Sequence, residues 1–256
     1  MSNDPLFTRR QVLRGVIAGA GAGLLVGCDS LSQKERFINV LSIGETLNQR
    51  VQRFLTGDSL AKEYSESMIS PVFRANGSTN PQTDEYLAMK SNSFSGYKLK
   101  IGGLVDNPLE LGLDAIRAMP SRTQITRHDC VEGWSVIGKW AGVPLAHLLD
   151  TARVKPGARY VVFYCFDDYG DNGGRYYESI DLLDAYHPQT MVAHSLNNEP
   201  LGVPNGAPLR MRIERKLGYK QPKYLRMIEV VDSYAAIQGG KGGYWEDNGY
   251  DWYGGI

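Results

Sequence analysis

Three cysteines, at positions 28, 130 and 165, are the first candidates for chemistry in this 256-residue chain. A cysteine thiolate can act as a nucleophile, bind a metal or, after oxidation, form half of a disulfide. An odd number of cysteines at such wide spacings excludes a disulfide-stapled scaffold and any CxxC metal or redox pair. Each cysteine therefore needs an explanation of its own.

Several common catalytic motifs are missing from the sequence. It contains no GxSxG, no HExxH, no P-loop and no CxxCH, so it predicts no haem of c type bound by the chain itself. The four histidines have no metal-ligand spacing, which predicts surface or hydrogen-bonded core positions for them.

Cys130 lies in the segment R-H-D-C-V-E-G-W-S-V-I-G-K-W at 127–140. Downstream follow H-P at 187–188, P-N-G-A-P-L-R at 204–210 and K-L-G-Y-K at 216–220. The second of these predicts a tight loop in which Asn205 can donate and accept hydrogen bonds and Arg210 can bind a phosphate. The third offers backbone N–H groups and Lys220 to a terminal phosphate. Each stretch on its own is also typical of an ordinary turn.

Taken together, the four pieces resemble in order and spacing the sulfite oxidase-like molybdopterin oxidoreductases, over about residues 95–235. The resemblance implies a molybdenum–molybdopterin cofactor (Mo-MPT), with Cys130 as the catalytic residue and protein ligand to molybdenum. A soft thiolate suits a metal whose other ligands are the dithiolene sulfurs of the pterin. The resemblance also implies cofactor contacts from Asn205, Arg210, Gly218, Tyr219 and Lys220.

Four further residues are weaker candidates for the same site. Asn92, in S-N-S-F, is a candidate match to a pterin-contacting asparagine of the family, and Arg127 adds positive potential near an anionic cofactor. Cys165 aligns with a threonine near the cofactor in the methionine sulfoxide reductase branch, but its apolar neighbours equally favour a core thiol. Trp134 either walls the pocket or packs in the core.

The family's enzymes move an oxygen atom and two electrons, and the residues after Cys130 bear on the direction. The C-V-E-G-W-S pattern is closer to the periplasmic methionine sulfoxide reductase catalytic subunit than to animal and plant sulfite oxidases, and Glu132 disfavours a sulfite dianion. We therefore expect reduction of an S- or N-oxide, with electrons from a membrane or periplasmic haem protein. A sulfite-oxidising dehydrogenase and a non-catalytic tethered binding lipoprotein are the alternatives.

The N-terminus has the layout of an export signal. Arg9 and Arg10 precede an apolar Gly/Ala-rich run from Val16 to Gly27, which resembles a twin-arginine signal. The run ends in L-L-V-G-C-D, a pattern typical of a bacterial lipoprotein box with Cys28 as the acylated residue. We expect an exported protein, lipid-anchored at the periplasmic side of the inner membrane.

The composition fits one large soluble domain with extensions. Lys plus Arg and Asp plus Glu both number 28, and this balance argues against nucleic acid as a partner. The sequence predicts a signal at 1–28, a helical and loop extension at 29–94, the molybdopterin-binding domain at 95–235 and an irregular Gly/aromatic tail at 236–256.

Short strands and helices without βαβ regularity predict an α+β fold, with the mixed sheet implied by the family. One strand is predicted to begin at Tyr97, and further strands are predicted at 123–127, 160–166, 191–196, 209–215 and 224–231. Predicted helices cover one or two stretches within 29–56, then 60–67, 111–119, 144–152 and 180–186, and a loop is predicted at 71–96.

Overall fold

The computed structural model describes residues 35–57, 59–169 and 174–256. The predicted export signal, lipoprotein box and Cys28 lie outside the described residues. The chain divides into two compact units, Met1–Leu55 and Thr56–Ile256.

A single helix, α1 (Glu35–Thr56), is formed where the sequence predicts one or two amphipathic helices. Several of its apolar side chains are exposed, among them Leu47, Val51 and Phe54. In the parts of the chain described above, no helix is both long enough and apolar enough to cross a bilayer.

The described residues of the unit Thr56–Ile256 form ten strands and five further α-helices. The strands are β1 (Lys98–Gly103), β2 (Leu109–Gly112), β3 (Arg122–Asp129), β4 (Ser135–Pro144), β5 (Tyr160–Asp168), β6 (Arg175–Asp181), β7 (Met191–Leu196), β8 (Glu199–Pro200), β9 (Arg210–Arg212) and β10 (Leu225–Val231). The helices are α2 (Asp84–Ser91), α3 (Leu113–Arg117), α4 (Leu145–Ala152), α5 (Leu182–Ala185) and α6 (Tyr244–Asp247). Three-residue 3-10 helices lie at Glu66–Met68, Val203–Asn205 and Gly218–Lys220.

These strands form two sheets of different type. The first has the order β2-β1-β10-β5-β6 and is mixed, because β1 and β10 are parallel while its other neighbours are antiparallel. The second has the order β3-β4-β7-β8, with β9 also paired to β7, and all its pairs are antiparallel. The α+β class and the mixed sheet predicted from the sequence are confirmed.

The main apolar core joins the two sheets and α4. It includes Phe163 from β5 and Ile228 from β10 of the first sheet, and Val192 from β7 of the second. Helix α4 contributes a buried stripe at helical spacing, formed by Leu145, Leu148, Leu149 and Ala152. This burial fixes the strands whose ends and loops form the candidate site.

Most predicted elements are present, but two stretches differ from the prediction. The helix predicted at 60–67 is wrong: Tyr64 N donates to Ile125 O and Glu63 bridges to Thr126, so this segment lies along β3 as extended chain. The loop predicted at 71–96 contains α2, which begins with the acidic Asp84 and Glu85, favourable at a helix N-terminus.

Four strands were not predicted: the short β2 and β8, and the longer β4 and β6. Strand β4 was missed because Gly138 and Gly142 interrupt its pattern, yet Gly142 is needed where β4 approaches β7: an added Cβ would meet the Val192 carbonyl. Strand β6 was missed because its run of polar and aromatic residues does not alternate, since nearly all of it is buried. The helix predicted at 180–186 shortens to α5.

The buried stripe of α4 predicts a clear stability difference. Leu149→Ala removes a fully buried side chain and is expected to lower the free energy of unfolding by about 2–5 kcal/mol. The same truncation at Leu183, which is 66% exposed in α5, is the matched control and should cost little. Urea unfolding followed by circular dichroism measures both, and equal losses would contradict this core.

Candidate cofactor site around Cys130

Cys130 lies in the tight turn between β3 and β4. Its backbone N–H donates to Trp134 O at 3.0 Å, and Gly133 N–H donates back to Cys130 O at 3.0 Å. Gly133 has φ +85, a left-handed conformation that glycine adopts without strain. The hairpin therefore holds the sulfur in a fixed direction at the end of a sheet.

The Cys130 sulfur is mostly buried and accepts a hydrogen bond from a residue the sequence did not single out. Asn76 Nδ2 donates to Cys130 Sγ at 3.3 Å. Burial raises the pKa of the Cys130 thiol, and the nearby Glu132 carboxylate adds to this effect. The thiol is therefore a poor free nucleophile, and a bound metal ion would be needed to hold it as thiolate.

A cleft opens beside this sulfur, with an empty volume of about 710 Å³ that includes its open mouth. One side is formed by Cys130, Val131, Glu132 and Asn76, and the deeper part by residues from four other segments. The deeper residues are Asp167, Tyr169, Tyr176, Arg210, Gly218, Tyr219, Gln221 and Lys223. Two residues of the tail, Trp245 and Tyr250, also line the cleft.

Two buried cations line the deep part of the cleft without a carboxylate ion pair in the described structure. Arg210 donates to the carbonyl oxygens of Asn205 and Gln221, at 3.1 and 3.3 Å. Lys223 Nζ donates to three backbone carbonyl oxygens instead of a side chain. Burial lowers the pKa of Arg210 to about 9. It also lowers the pKa of Lys223 to about 7, and repulsion from Arg210 contributes. An anion bound here would stabilise both charges.

A buried layer behind the cleft positions Arg210. Trp140 is fully buried, with the guanidinium groups of Arg210 and Arg212 over its ring at 5.0 and 4.4 Å. Arg212 also forms a bidentate pair with Glu214, at 3.0 and 2.6 Å. These contacts fix strand β9, and with it the direction of Arg210.

His128 connects this layer to the Gly218–Lys220 turn. Burial and the neighbouring arginines hold the pKa of His128 well below its usual value, so the ring is neutral. Because Arg212 Nη1 donates to Nδ1 at 3.0 Å, the proton lies on Nε2. A Cβ at position 218 would lie 2.8 Å from the His128 ring, so glycine is what allows the turn to approach this closely.

The structure brings four of the predicted site residues to the cleft: Cys130, Arg210, Gly218 and Tyr219. The other predicted residues do not line it. Arg127 points to the opposite face of β3 and pairs with Asp129 at 2.8 Å, as strand alternation requires. Asn92 is an exposed residue at the C-terminus of α2, and Cys165 is fully buried in β5. Asn205 does not line the cleft, but its backbone carbonyl oxygen accepts a hydrogen bond from Arg210, which does.

Lys220 corrects the expectation that its ammonium group reaches a phosphate. The side chain is buried, and Nζ pairs with Glu178 Oε1 at 2.5 Å and Glu246 Oε1 at 2.6 Å. Since Glu246 belongs to α6, this ion pair fixes the tail to the domain. The tail expected to be irregular and superficial therefore has a buried anchor, and it brings Trp245 and Tyr250 to the cleft.

Sequence reasoning missed the cleft residues that stand outside the family-like pieces. Asn76 and Gly77 lie in a polar stretch with no motif, and Trp245 and Tyr250 lie in a tail whose composition is typical of loops. Lys223 has one available signal: it follows K-L-G-Y-K by three residues in a segment already rich in cations.

The residues present fit an anionic cofactor with soft metal ligands. Cys130 is a soft donor with a directed sulfur, and Arg210 and Lys223 supply buried positive charge. Gly77 and Gly218 let two segments that line the cleft pack closely against their neighbours, because an added Cβ would collide with Tyr169 at the first and with His128 at the second. One cleft of this α+β domain thus holds a cysteine sulfur that can bind a metal and two buried cations that can bind an anion. These are the features of a cofactor-dependent oxidoreductase.

The family comparison agrees with that class. The family described as "Oxidoreductase molybdopterin binding domain" matches residues 86–237. The chain belongs to this family and is a molybdopterin-dependent oxidoreductase of the sulfite oxidase-like type.

Named relatives extend the comparison. A protein of Azospira oryzae named for a protein-methionine-sulfoxide reductase subunit, YedZ1, is 39% identical over 98% of this chain and 88% of its own length. The protein-methionine-sulfoxide reductase catalytic subunit MsrP of Xanthomonas axonopodis is 35% identical over 59% of this chain. The chain covers 50% of that relative and 70% of the Campylobacter jejuni MsrP, to which it is 28% identical.

Among solved structures, the sulfane dehydrogenase SoxCD from Paracoccus pantotrophus is similar with a TM-score of 0.48 and 22% identity. The similarity covers 54% of this chain and 39% of that chain.

The depressed pKa of Lys223 predicts a pH-dependent stability. Its folded-state pKa of about 7 lies below the usual value of about 10.4, so the unfolded chain binds the extra proton between these values. The stability of the cofactor-free protein should therefore rise with pH across this window, and Lys223→Met should reduce the rise. Urea unfolding near pH 7 and near pH 9 measures it, with the exposed Lys100→Met as control. If the unfolding free energy of Lys223→Met rose with pH as steeply as that of the wild type, the lowered pKa of Lys223 would be contradicted.

The Lys220 ion pair predicts a large loss on removal of the cation. Lys220→Met leaves Glu178 and Glu246 buried without their partner and should cost about 3–5 kcal/mol of unfolding free energy. The exposed pair of Lys98 with Glu110 offers the control, since Lys98→Met should change the unfolding free energy little. Limited proteolysis of the tail should also accelerate in Lys220→Met only.

Proposed function

We propose that this protein reduces an S- or N-oxide, with methionine sulfoxide as the first candidate, at a molybdenum cofactor held by Cys130. The observation that carries the direction is Glu132, a residue that lines the same cleft as Cys130. A carboxylate at that mouth repels a sulfite dianion but not a neutral sulfoxide. Arg74, at 3.8 Å from Glu132, offsets only part of this charge because both groups are more than half exposed.

The molybdenum cofactor, when bound, supplies oxygen-atom transfer coupled to two electrons. The chain's own residues bind and orient it. Cys130 offers the sulfur ligand, and the Asn76 amide donates to that sulfur, which favours the thiolate. Arg210 and Lys223 would hold the anionic parts of the cofactor, and the turn that begins at Gly218 would offer backbone N–H groups to it.

The overall reaction requires an electron donor. A sulfoxide R₂SO with two electrons and two protons gives the sulfide R₂S and water, so two electrons must enter per turnover. We propose a haem protein in or at the membrane as their source. The name "catalytic subunit" of the MsrP relatives supports a second subunit, which would be the electron-transfer partner here.

The place of this reaction is part of the same proposal. Residues 1–28 support export by the twin-arginine route and a lipid anchor at Cys28, on the periplasmic side of the inner membrane. A tether would raise the effective concentration of the enzyme beside a membrane-bound electron donor.

Removal of the sulfur ligand tests the site. Cys130→Ser in protein exported from a molybdate-replete host should lower molybdenum from about one atom per chain to a small fraction, because a hydroxyl is a poor soft ligand. Oxide reduction should fall with it. Cys165→Ala is the matched control, since this thiol is buried and does not line the cleft. Metal-free wild-type protein of native fold would reject the enzyme in favour of a binding lipoprotein.

A substrate panel tests the direction. Methionine sulfoxide and other S- and N-oxides are assayed with reduced viologen, and sulfite with ferricyanide. We expect turnover of oxides and, in Glu132→Gln, a lower KM for any residual sulfite oxidation because the repelling charge is removed. Sulfite turnover by the wild type without oxide reduction would reject the reductase.

A further inference from the structure

Two aromatic residues of the tail, Trp245 and Tyr250, line the cleft, and the site described above gives them no role. Tyr250 is 41% exposed and Trp245 is half-buried, whereas Arg210 and Lys223 in the same cleft are buried. This difference in exposure places the two rings at the mouth of the cleft. A ligand that enters the cleft therefore passes these rings on its way to the deep part.

Trp245 and Tyr250 form one continuous surface, which we call the aromatic rim. Tyr250 N donates to Trp245 O at 2.9 Å, and the two ring centroids are 5.2 Å apart with an angle of 31° between the planes. Trp245 also packs edge-on against Tyr169 at 6.1 Å, and Tyr250 packs edge-on against Tyr219 at 5.2 Å. Because Tyr169 and Tyr219 line the same cleft, the rim continues the wall of the cleft outward.

The rim is fixed in place through α6, which begins one residue before Trp245. Glu246 of this helix forms the buried ion pair with Lys220. Asp247 accepts hydrogen bonds from Tyr177 Oη at 2.6 Å and from Gly239 N at 3.0 Å. A surface that is already ordered before a ligand arrives loses little conformational entropy on binding.

A second tryptophan of the tail, Trp252, shows how a ring with a structural role is held. Its Nε1 atom donates to Ser179 Oγ at 2.9 Å, its ring stacks on Tyr234 at 5.7 Å, and it does not line the cleft. Among the described residues, Trp245 Nε1 has no hydrogen-bond partner, although a packed indole usually has one. Attachment of the tail therefore accounts for the position of Trp252 but not for that of Trp245.

The rim offers neutral aromatic surface to a ligand. Such surface binds alkyl groups by dispersion and by burial of apolar area, and it also contacts sulfur favourably. The substituents of a sulfoxide other than its reacting S–O group are alkyl groups of this kind. A sulfoxide in the cleft can therefore leave an alkyl group at the mouth, where the rim lies.

We propose that the aromatic rim binds the non-reacting alkyl group of a sulfoxide substrate, so that the protein prefers longer alkyl methyl sulfoxides to dimethyl sulfoxide. The inference rests on the proposed reduction of an oxide in this cleft, and it adds which part of the substrate is recognised. Both rim residues lie outside residues 86–237, the range of the family match, so this preference is supplied by the tail.

Two sulfoxides with the same reacting group test the rim. Butyl methyl sulfoxide has a butyl chain where dimethyl sulfoxide has a methyl group. Purified exported protein is assayed with each and reduced viologen, and the preference ratio is kcat/KM for the first divided by kcat/KM for the second. Without a reductant no turnover occurs, and the dissociation constant of butyl methyl sulfoxide is then measured by ligand-observed NMR. Molybdenum per chain is measured in every protein.

Trp245→Ala should lower the preference ratio by about tenfold and weaken the binding of butyl methyl sulfoxide by a similar factor, because the apolar contact of several methylene groups is lost. Tyr250→Ala should change both quantities in the same direction, and it should leave the fold intact because Tyr250 is exposed. Trp252→Ala is the matched control: it makes the same truncation in the same tail, away from the cleft, and should keep both wild-type values.

An unchanged preference ratio and dissociation constant in Trp245→Ala would overturn the proposal. An equal fall in Trp252→Ala would also overturn it, since the tail would then act only through its structure. Loss of molybdenum in Trp245→Ala at an unchanged preference ratio would do the same, because the ring would then cover the cofactor.

The proposed function and the rim can fail separately. Wild-type protein that binds butyl methyl sulfoxide through Trp245 but reduces neither sulfoxide would reject the proposed reductase and leave the rim standing. Wild-type protein that reduces both sulfoxides without preference would reject the rim and leave the reductase standing.

Discussion

The structure around Cys130 depends on positive charge that is buried without carboxylate partners among the described residues. Arg210 and Lys223 are held by backbone carbonyl oxygens, which satisfy their hydrogens but do not neutralise them. Burial lowers the pKa of both groups, because desolvation disfavours their charged forms. A bound anion would relieve the unfavourable burial of these two charges, and this relief would contribute to the free energy of binding. The cleft is therefore complementary to an anionic cofactor before any cofactor is considered, and most nearby contacts serve to keep these two cations in place.

Both sheets are needed to make this arrangement. The antiparallel sheet supplies the β3–β4 turn that carries Cys130 and the strand β9 that carries Arg210. The mixed sheet supplies Asp167 at the end of β5, and the segment entering β10 supplies Lys223. The shared apolar core between the sheets sets the spacing of these groups. Truncations deep in that core should therefore affect cofactor retention as well as stability, because packed interiors transmit strain.

The parts of this site that could be predicted from the sequence are those that a short stretch of neighbouring residues determines. Most of strand β5 shows as a continuous apolar and aromatic run at 160–166, and Cys130 lies inside a distinctive segment. Asn76 could not be found in this way, because its contact with Cys130 spans 54 positions and its own neighbourhood is an ordinary polar loop. Arg127 illustrates the opposite error. It is adjacent to the right residues in sequence, but strand alternation turns it away from the cleft.

Lys220 shows why residue type and motif do not determine a role. A lysine at the end of K-L-G-Y-K can reach a phosphate only if nothing nearer competes for its charge. Here Glu178 and Glu246 do compete, from within 2.6 Å, and they are buried with it. One of these carboxylates comes from a tail outside residues 86–237, the range of the family match. The cation is thus used to attach the tail, and the tail in turn adds Trp245 and Tyr250 to the cleft. Arg210 and Lys223, and not Lys220, are therefore the cations available to bind an anionic cofactor.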